Sequence, residues 1–482
     1  MGQDRWKVAP AFTFLLFIVF LLSGTSSAPS ERRKLLNYKI NQRHICLGCV
    51  MMVSIIEQLT QAHKNSTVQE ALERLCSYLP GKSNIRKKVR GLSNICSLPL
   101  MKELCEKIEN VIKNKLPFED FDGDKFSTFP TLRGYHWRGR DCDDGMASVY
   151  PGRRPDNWDA QQDSNCNGIW GIDRKDGIPY EQKLCNGTES EGIVLLGDSA
   201  GAHFHIPPEW LTASQISWKV YSDLPETLGN EFDWPQFSQI TGFLNSTIGG
   251  WTDSIYLRLR KRNRCNHRDY QNISQNGASS KGLWNFISGL ARSQKFDKPV
   301  IVTYAMVGND VCNGKADTVA AMTTPEQLHP NMLKSLRYLN SLLPKGSHVI
   351  LVGLADGTFL WDNMHGGYHP LGQLNKDITY EQVYSFLTCL KVNPCNGWLS
   401  SNDTLRNIAT ERALRLSSIL RGIAESEKYA SFDLFYMDYP LKEIAEEWRK
   451  QGGGNWQLIE PVDGFHQNPK HAQLKLQWEC GM

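Results

Sequence analysis

The 482-residue sequence lacks a strong charge of either sign, since 54 Lys and Arg residues against 51 Asp and Glu residues leave a net charge of +3. This balance gives no sign of nucleic-acid binding, and we expect the scattered cations to form solvated faces. The sequence also lacks internal repeats and low-complexity tracts. With 40% hydrophobic and 22% charged residues, its composition excludes intrinsic disorder. The length allows more than one domain.

Long apolar runs are scarce, and the one that stands out lies near the N-terminus. Arg5 and Lys7 precede an apolar run over 11–22, which only Thr13 interrupts, and small residues follow as far as Ala28. This order is typical of a signal peptide, so we expect residues 1–28 to be removed and the protein to be secreted. An uncleaved anchor is the alternative, but about twelve residues are too few to span a bilayer comfortably.

Two further features fit passage through an oxidising compartment. The 13 cysteines are compatible with disulfides, and their odd number leaves at least one thiol unpaired or paired between chains. Five sequons predict N-glycosylation at Asn65, Asn186, Asn245, Asn272 and Asn402.

Residues 42–80 predict a small helical module. Cys46 and Cys49 lie on one face of a predicted amphipathic helix, and a second predicted helix at 67–79 carries Cys76. A disulfide-stapled helical module explains this pattern. The pattern also resembles the first half of a saposin B-type domain, a family that binds lipids between amphipathic helices. A thioredoxin-like redox site is disfavoured because no strand precedes the cysteines.

The saposin resemblance stops early. A basic segment at 86–90 begins ten residues after Cys76, where the second half of such a module is expected. We therefore predict an incomplete module, followed at 81–117 by a linker or processing region and the start of a larger subunit. The basic segment is interpreted either as a processing site or as a solvated linker.

A region rich in Asp, Asn and Gly, residues 118–180, places side-chain oxygens at alternate positions in three stretches. Calcium takes about six to eight oxygen ligands, and loops with this spacing supply several of them. No stretch continues to a glutamate at position 12, so ordinary EF-hands are excluded, and a turn-rich solvated surface is the alternative. We expect structural calcium, held by loops that internal cysteines help to fix. The predicted ligands are Asp120, Asp122, Asp124 and Phe126, then Asp141 and Asp143 in a weaker loop, then Asp163, Asn165, Asn167 and Ile169.

Short apolar runs alternate with amphipathic stretches through residues 191–482. This alternation predicts an α/β domain, in which a parallel sheet carries helices on both faces. The predicted strands are 193–196, 255–259, 300–306, 348–354 and 432–436, and the predicted helices include 325–343 and 404–424.

Ser199 follows the predicted strand 193–196 at its carboxyl end, where ligand crevices form in parallel sheets. A serine becomes a good nucleophile when a base takes its proton and an acid orients that base. Gly197-x-Ser199-x-Gly201 formally fits the nucleophile elbow of α/β-hydrolases. That fold, however, places several strands before its elbow. Gly-Asp-Ser also begins the serine motif of trypsin-like proteases, but those enzymes place His and Asp before Ser.

Four blocks in order resemble the GDSL, or SGNH, hydrolase family, whose fold is a three-layer α/β/α sandwich. They are Gly197-Asp198-Ser199, then Gly277, then Asn309 after the predicted strand 300–306, then the Asp463-x-x-His466 pair. The resemblance implies that His466 takes the proton of Ser199 and that Asp463 orients His466. It also implies an oxyanion hole made by the Ser199 amide, the Gly277 amide and the Asn309 side chain.

Other histidines near the serine are weaker candidates for the base. His203 and His205 lie just beyond Ser199, and a base four residues away on the same helix is poorly aimed at the serine oxygen. We expect them to line the pocket. A polar loop is favoured over a metal site for a further group, because no ligand spacing recurs among Asp356, Asp362, His365 and His369.

The order of saposin-like half-module, calcium-type loops and SGNH hydrolase resembles the acyloxyacyl hydrolase family, and so do the stretches 134–141, 163–170 and 197–206. The resemblance implies an esterase that releases secondary fatty acyl chains from lipid A of bacterial lipopolysaccharide. It implies action on lipid aggregates or a membrane surface, in secreted and endolysosomal settings. It also implies a precursor cut into a small and a large subunit that a disulfide joins.

The chain departs from that family at two places. The saposin-like half is short, and sixteen residues follow His466 where the family has a longer closing helix. We therefore expect a shortened or splice-variant form. Two alternatives stay open, which are a non-catalytic lipid-binding isoform and a broader phospholipase or thioesterase.

Overall fold

The structure of the chain is a computed structural model that describes residues 106, 111, 113–212, 214–215, 218–244, 252–389 and 392–468. The predicted signal peptide and saposin-like module lie outside the described residues. The chain divides into two compact units, Met1–Glu109 and Asn110–Met482, and the features below belong to the second. None of the described helices is long and apolar enough to cross a membrane.

Five strands form one sheet in which every neighbouring pair is parallel and the order is β2-β1-β3-β4-β5. The strands are β1 Gly192–Gly197, β2 Tyr270–Asn272, β3 Val300–Ala305, β4 Ser347–Val352 and β5 Phe432–Met437. All six residues of β1 are buried, as expected for a central strand that is covered on both faces. The predicted parallel α/β fold is confirmed.

Nine α-helices lie within the described ranges. They are α1 Tyr180–Cys185, α2 Ser199–Ala202, α3 Leu224–Gly229, α4 Ile255–Arg262, α5 Pro325–Leu342, α6 Thr358–Met364, α7 Tyr380–Cys389, α8 Asp403–Ser426 and α9 Leu441–Lys450. The predicted helices at 325–343 and 404–424 correspond to α5 and α8. Capping residues fix their starts, since Thr324 and Gln327 form a capping box before α5 and Asn402 accepts a hydrogen bond from Leu405 at the start of α8.

The core lies on both sides of the sheet. On one face, α5 and α8 pack their buried leucines against Val302 of β3 and Val349 of β4. On the other face, Tyr256 of α4 packs with Ile193 of β1 and Tyr270 of β2. These two layers with the sheet between them make the three-layer arrangement that places Ser199 at the carboxyl edge of β1.

The strand predicted at 255–259 is wrong, because this segment begins α4. The Ser254 side chain accepts a hydrogen bond from the Leu257 amide and thereby caps a helix. A short apolar run does not by itself distinguish a strand from a helix that is buried along one face. The strand beside β1 is instead Tyr270–Asn272, which is three residues long and was not predicted from the sequence.

Three disulfides cross-link the described unit, Cys142–Cys166, Cys185–Cys265 and Cys312–Cys395. The first joins two of the acidic loops, which confirms that cysteines help to fix them. Among the described residues, Cys389 is a free and exposed cysteine.

Candidate active site

Ser199 begins helix α2 directly after β1, and its hydroxyl lies 2.6 Å from Nε2 of His466. The other ring nitrogen of His466, Nδ1, lies 2.5 Å from Oδ2 of Asp463. The structure therefore brings together the three residues predicted to act as nucleophile, base and orienting acid. This is the arrangement that allows an imidazole to accept the serine proton while a carboxylate stabilises the resulting imidazolium.

The positions two residues before and two residues after Ser199 have room only for glycine. A Cβ atom on Gly197 would come within 2.6 Å of the Ser274 hydroxyl, and one on Gly201 would come within 2.9 Å of the same atom. The Gly201 carbonyl also accepts hydrogen bonds from Ser238 and Asn272. These contacts hold the turn that carries Ser199 against the end of β1.

The loop that carries Asp463 and His466 is held from several sides. Oδ1 of Asp463 accepts hydrogen bonds from the amides of Phe465 and His466, which closes a tight turn. Gly464 has a φ of 60°, and a Cβ atom there would lie 2.4 Å from the Tyr384 hydroxyl. That hydroxyl donates to the Gly464 carbonyl. A side chain at position 464 would thus collide with the group that fixes the loop.

Two more side chains hold the same loop by its backbone. The Tyr380 hydroxyl donates to the carbonyl of Pro461 at 2.5 Å, and Nε2 of His369 lies 2.6 Å from the carbonyl of Val462. The sequence pattern gave these side chains no role in the site, because neither lies near the motifs along the chain.

Burial and charge act in opposite directions on the acid–base pair. Burial alone would raise the pKa of Asp463 and lower the pKa of His466. The attraction and hydrogen bond between them outweigh this effect, so the pKa of Asp463 lies below 3.8 and the pKa of His466 lies above 6.5. The pair is therefore held with its carboxylate charged.

Asp198 connects the nucleophile turn to the segment after β3. Its Oδ1 accepts a hydrogen bond from the Ala200 amide at 3.0 Å, and its Oδ2 accepts from the Gly308 amide and the Asn309 side chain, each at 3.3 Å. Burial raises the pKa of this carboxyl to about 6. Asp198 orients the Asn309 amide, a role that its place beside Ser199 in the sequence did not reveal.

The Asn309 side chain and the Gly277 amide, both predicted for the oxyanion hole, lie in different places relative to Ser199. Asn309 lines the same cleft as Ser199 and His466. Gly277 lies in the turn after β2 with a φ of 71°, is exposed, and is not among the described residues that line this cleft. The described contacts thus bring Asn309 to the serine and leave the role of Gly277 a prediction.

The cleft around Ser199 is mostly apolar. Its lining residues come from the segments after β1, β3, β4 and β5 and from the segment around His466, and they include Val307, Phe359, Leu360, Trp398, Leu441, Ile459 and Phe465. An apolar cleft with a nucleophile at one side suits a substrate with a hydrocarbon chain.

His203 and His205 do not line this cleft. His203 ends α2 with a φ of 61°, and burial lowers its pKa to about 3. His205 is bonded through Nδ1 to Glu460 at 2.6 Å. The predicted position of the two rings in the pocket wall is therefore wrong, since both point into the protein interior.

The other acids and histidines considered for a metal site do not form a metal cluster among the described residues. They are Asp356, Asp362, His365 and His369. Asp356 accepts hydrogen bonds from Thr358 and pairs with Lys442, and His365 lies against the carbonyl of Trp361. The polar-loop interpretation fits these contacts.

Five aspartates of the first two acidic loops come together. One oxygen from each of Asp122, Asp124 and Asp141 lies within 4.8 Å of the others, and the same holds for Asp120, Asp122 and Asp144. Burial raises the pKa of Asp124 to about 8 and that of Asp141 to about 6. Of the predicted ligands here, Asp143 stays outside both groups, and Asp144 takes a place that the sequence did not assign.

This aspartate cluster fits a cation. Buried oxygens of Asp122, Asp124 and Asp141, one from each, have no hydrogen-bond partner. The ammonium of the neighbouring Lys125 does not neutralise these carboxylates by hydrogen bonds, since it donates instead to the carbonyls of Ser288 and Leu290. Several partly buried carboxylates with free oxygens are the donor set that calcium prefers. Phe126 is buried nearby, and its amide donates to Asp124.

The third acidic loop is satisfied by its own contacts. Both oxygens of Asp163 accept backbone amides, and the side-chain oxygens of Asn165 and Asn167 accept the amides of Asn167 and Ile169. The side-chain amides of Asn165 and Asn167 donate to the fully buried Glu181. Glu181 therefore holds the side chains of this loop in place, although it lies outside the sequence pattern by which the loop was recognised.

The described sequons differ in accessibility. Asn186 and Asn402 are exposed. Asn272 lies in β2 with 1% exposure, and its side-chain amide donates to the Gly201 carbonyl and the Thr241 hydroxyl. The prediction of a glycan at Asn272 is wrong for the folded protein, because the nitrogen that would carry the sugar is buried. Asn65 and Asn245 lie outside the described residues.

Comparisons with known proteins agree with this site. The sequence family GDSL-like Lipase/Acylhydrolase matches residues 193–475, and the family Saposin-like domain matches residues 45–87. The chain is 54% identical to the acyloxyacyl hydrolase of Mus musculus, over 98% of this chain and 94% of that protein. It is 53% identical to those of Homo sapiens and Oryctolagus cuniculus, over 97% of this chain and 92% of each. The alignment to the Mus musculus protein covers 546 positions, more than the 482 residues of this chain, so that protein has residues with no counterpart here.

Proposed function

Because the chain belongs to the acyloxyacyl hydrolase family, a group of ester hydrolases with a GDSL-type domain, we propose that it removes secondary fatty acyl chains from lipid A of bacterial lipopolysaccharide. The observation that carries this proposal is the hydrogen-bonded series Ser199–His466–Asp463 at the side of an apolar cleft. The ester linkage lies at Ser199, and the released acyl chain occupies the apolar cleft.

The reaction follows from the geometry. His466 accepts the proton of Ser199 through Nε2 as the serine oxygen forms a bond to the ester carbonyl carbon. The Ser199 amide and the Asn309 side chain stabilise the oxyanion. His466 then donates the proton to the leaving oxygen of lipid A as its bond to the carbonyl carbon breaks, so that lipid A departs with a hydroxyl and an acyl-enzyme remains. Water, activated by the same imidazole, hydrolyses that ester and frees the fatty acid.

Calcium has a structural role in this proposal. The cluster of Asp120, Asp122, Asp124, Asp141 and Asp144 holds the ion, which neutralises carboxylates that burial otherwise disfavours. The Cys142–Cys166 disulfide links the loop of Asp141 to the third acidic loop. The metal thus stabilises the loops packed beside the catalytic domain and takes no part in the bond-breaking step.

The compartment, the lipid surface and the processing of the chain are also part of the proposal. The apolar run before Ala28 directs the chain to secretion, so the proposed action on lipopolysaccharide takes place in secreted and endolysosomal settings. The saposin-like segment at 45–87 presents lipid aggregates or a membrane surface to the hydrolase. Cleavage near the basic segment at 86–90 yields a small and a large subunit that a disulfide joins.

A fluorophosphonate probe separates this proposal from a non-catalytic lipid-binding protein. We expect covalent labelling of the folded chain, loss of labelling in Ser199→Ala and slower labelling in His466→Ala. Phosphonylation requires an activated serine, so a folded chain that resists the probe overturns the proposed enzyme and favours the lipid-binding alternative.

A further inference from the structure

A second cavity lies away from the catalytic cleft and shares no lining residue with it. It has a volume of about 900 Å³. Its walls come from the third acidic loop, from α1, from the end of α4 and from segments just before β1 and β2. Ser199 lies instead at the carboxyl end of β1. The cavity is therefore separate from the apolar cleft that receives the acyl chain.

Four cations line this cavity, Arg260, Lys261, Arg262 and Arg264, and all four are exposed. None of them forms an ion pair with a carboxylate of the described chain. The described residues that line the cavity include no Asp or Glu. Glu191 lies near enough to Arg262 for the two charges to attract each other. Because the whole chain carries a net charge of only +3, this concentration of positive charge is nevertheless a local feature.

The frame that carries the cations is rigid. The Cys185–Cys265 disulfide ties the segment after α4 to the end of α1. Asn263 caps the turn at 264–266 by accepting from the Cys265 amide, and its side-chain amide donates to the carbonyl and hydroxyl of Thr188. The cationic side chains thus extend from a backbone whose position is fixed on both sides of the cavity.

Stabilisation of α4 explains only part of this arrangement. Cations in the last turn of a helix interact favourably with its carboxyl end, which accounts for Arg260, Lys261 and Arg262. Arg264 lies beyond the helix, yet it faces the same cavity. Burial lowers the pKa of His267 in the wall to about 4, and the charges of Arg260 and Arg268 act in the same direction.

The chemistry of the walls favours a charged glycan over a nucleic acid. Guanidinium groups bind sulfate and phosphate in a bidentate manner, and three of the four cations in this cavity are arginines. Single-stranded nucleic acids need aromatic side chains on which bases stack, and no Phe, Tyr or Trp is among the described lining residues. A concave wall also suits a chain better than a flat bilayer.

We propose that this basic cavity binds a glycan chain that carries repeated sulfate or phosphate groups, independently of hydrolysis at Ser199. Sulfated glycosaminoglycans and the phosphorylated sugars of lipopolysaccharide share this chemistry. Binding by several arginines to fixed anions is electrostatic, so it weakens steeply as the salt concentration rises.

The test compares two triple variants of the full secreted chain. Arg260→Gln, Lys261→Gln and Arg262→Gln remove charge from the basic cavity, and Arg264 is kept because its neighbour Cys265 forms a disulfide. The matched control, which removes the same charge from exposed sites elsewhere, is Arg337→Gln, Lys345→Gln and Arg449→Gln. Melting temperatures identify folded variants, and the single variant Arg262→Gln serves if the triple is unstable.

Dissociation constants are measured at several salt concentrations for a size-defined heparin oligosaccharide, fully deacylated lipopolysaccharide and a single-stranded oligonucleotide. We expect the cavity variant to bind the preferred glycan about tenfold more weakly, with a shallower salt dependence. The control should change by less than about twofold. Tighter binding of heparin identifies a sulfated ligand, and tighter binding of deacylated lipopolysaccharide a phosphorylated one. Equal losses in both variants, no glycan binding at physiological salt, or oligonucleotide binding as tight as that of the glycans would each overturn the proposal.

Discussion

His205 and Glu460 lie 255 positions apart in the sequence and share a hydrogen bond of 2.6 Å between Nδ1 and Oε2. Both side chains are almost fully buried. His205 follows the nucleophile turn, and Glu460 precedes the acid–base loop, where its amide donates to the His466 carbonyl and its carbonyl accepts from Gly464. This pair therefore ties the segment that follows Ser199 to the loop that carries Asp463 and His466.

Breaking that tie should slow the chemical step. We predict that Glu460→Ala lowers kcat by about 10- to 100-fold with a smaller change in KM, because a displacement of the imidazole by about 1 Å costs roughly that much. Glu460→Gln keeps an oxygen that accepts the proton on Nδ1 of His205 and should retain most activity. Steady-state kinetics on variants with native melting temperatures provide the measurement. An unchanged kcat in folded Glu460→Ala would show that the pair has no positioning role.

The Asp463–His466 pair sets the pH dependence. The imidazole must be neutral to accept the serine proton, and its pKa lies above 6.5 because of Asp463. We therefore expect kcat/KM to rise with pH through a value above 6.5. In Asp463→Asn, this acid limb should move to lower pH, because the negative charge that favours the imidazolium is gone. The plateau should fall by about 10³- to 10⁴-fold. A limb that stays in place would assign the titration to another group.

Asn309 should contribute through the transition state. Its side-chain amide is oriented by Asp198 and lies in the cleft with Ser199. We predict that Asn309→Ala lowers kcat by about 10²- to 10³-fold and leaves KM nearly unchanged, as expected when one donor to an oxyanion is lost. A rise in KM at constant kcat would instead place Asn309 in substrate binding.

Calcium and Asp124 should be coupled in stability. Chelation is expected to lower the melting temperature, because the carboxylates of the cluster then repel one another. At a pH above 8, where Asp124 is charged even without metal, Asp124→Asn removes one of these charges, so it should melt higher than the unmodified chain in chelator and lower in calcium. Differential scanning calorimetry in both conditions, with calcium counted by elemental analysis, checks this reversal of order. Identical melting with and without calcium would contradict the metal site.

Glycan mapping should separate the sequons. We expect glycans on Asn186 and Asn402, which are exposed. We expect none on Asn272, because its side-chain nitrogen is buried and hydrogen-bonded. Mass spectrometry of peptides from the purified protein, expressed in cells that glycosylate, gives the occupancy of each site. A glycan found on Asn272 of the folded protein would contradict the position of β2.

The sequence predicted the parallel sheet because buried strands such as β1 are continuous apolar runs. It also predicted Ser199, Asp463 and His466, since that motif order is specific. It mistook Ile255–Leu259 for a strand, because a short apolar run does not reveal the Ser254 cap. Contacts between residues that are far apart along the chain could not be predicted from the sequence. Nothing in the spacing links His205 to Glu460 or shows that Asn272 is buried, because those facts depend on which segments the fold places side by side.

The most direct test of the proposed function is fatty acid release from purified lipopolysaccharide by this chain, with Ser199→Ala as the control. We expect the unmodified chain to release laurate or myristate and Ser199→Ala to release neither. Release from a glycerophospholipid at matched acyl concentration should be much slower. Equal release by both proteins, or a clear preference for the glycerophospholipid, would contradict the assignment of this chain as a lipopolysaccharide deacylase.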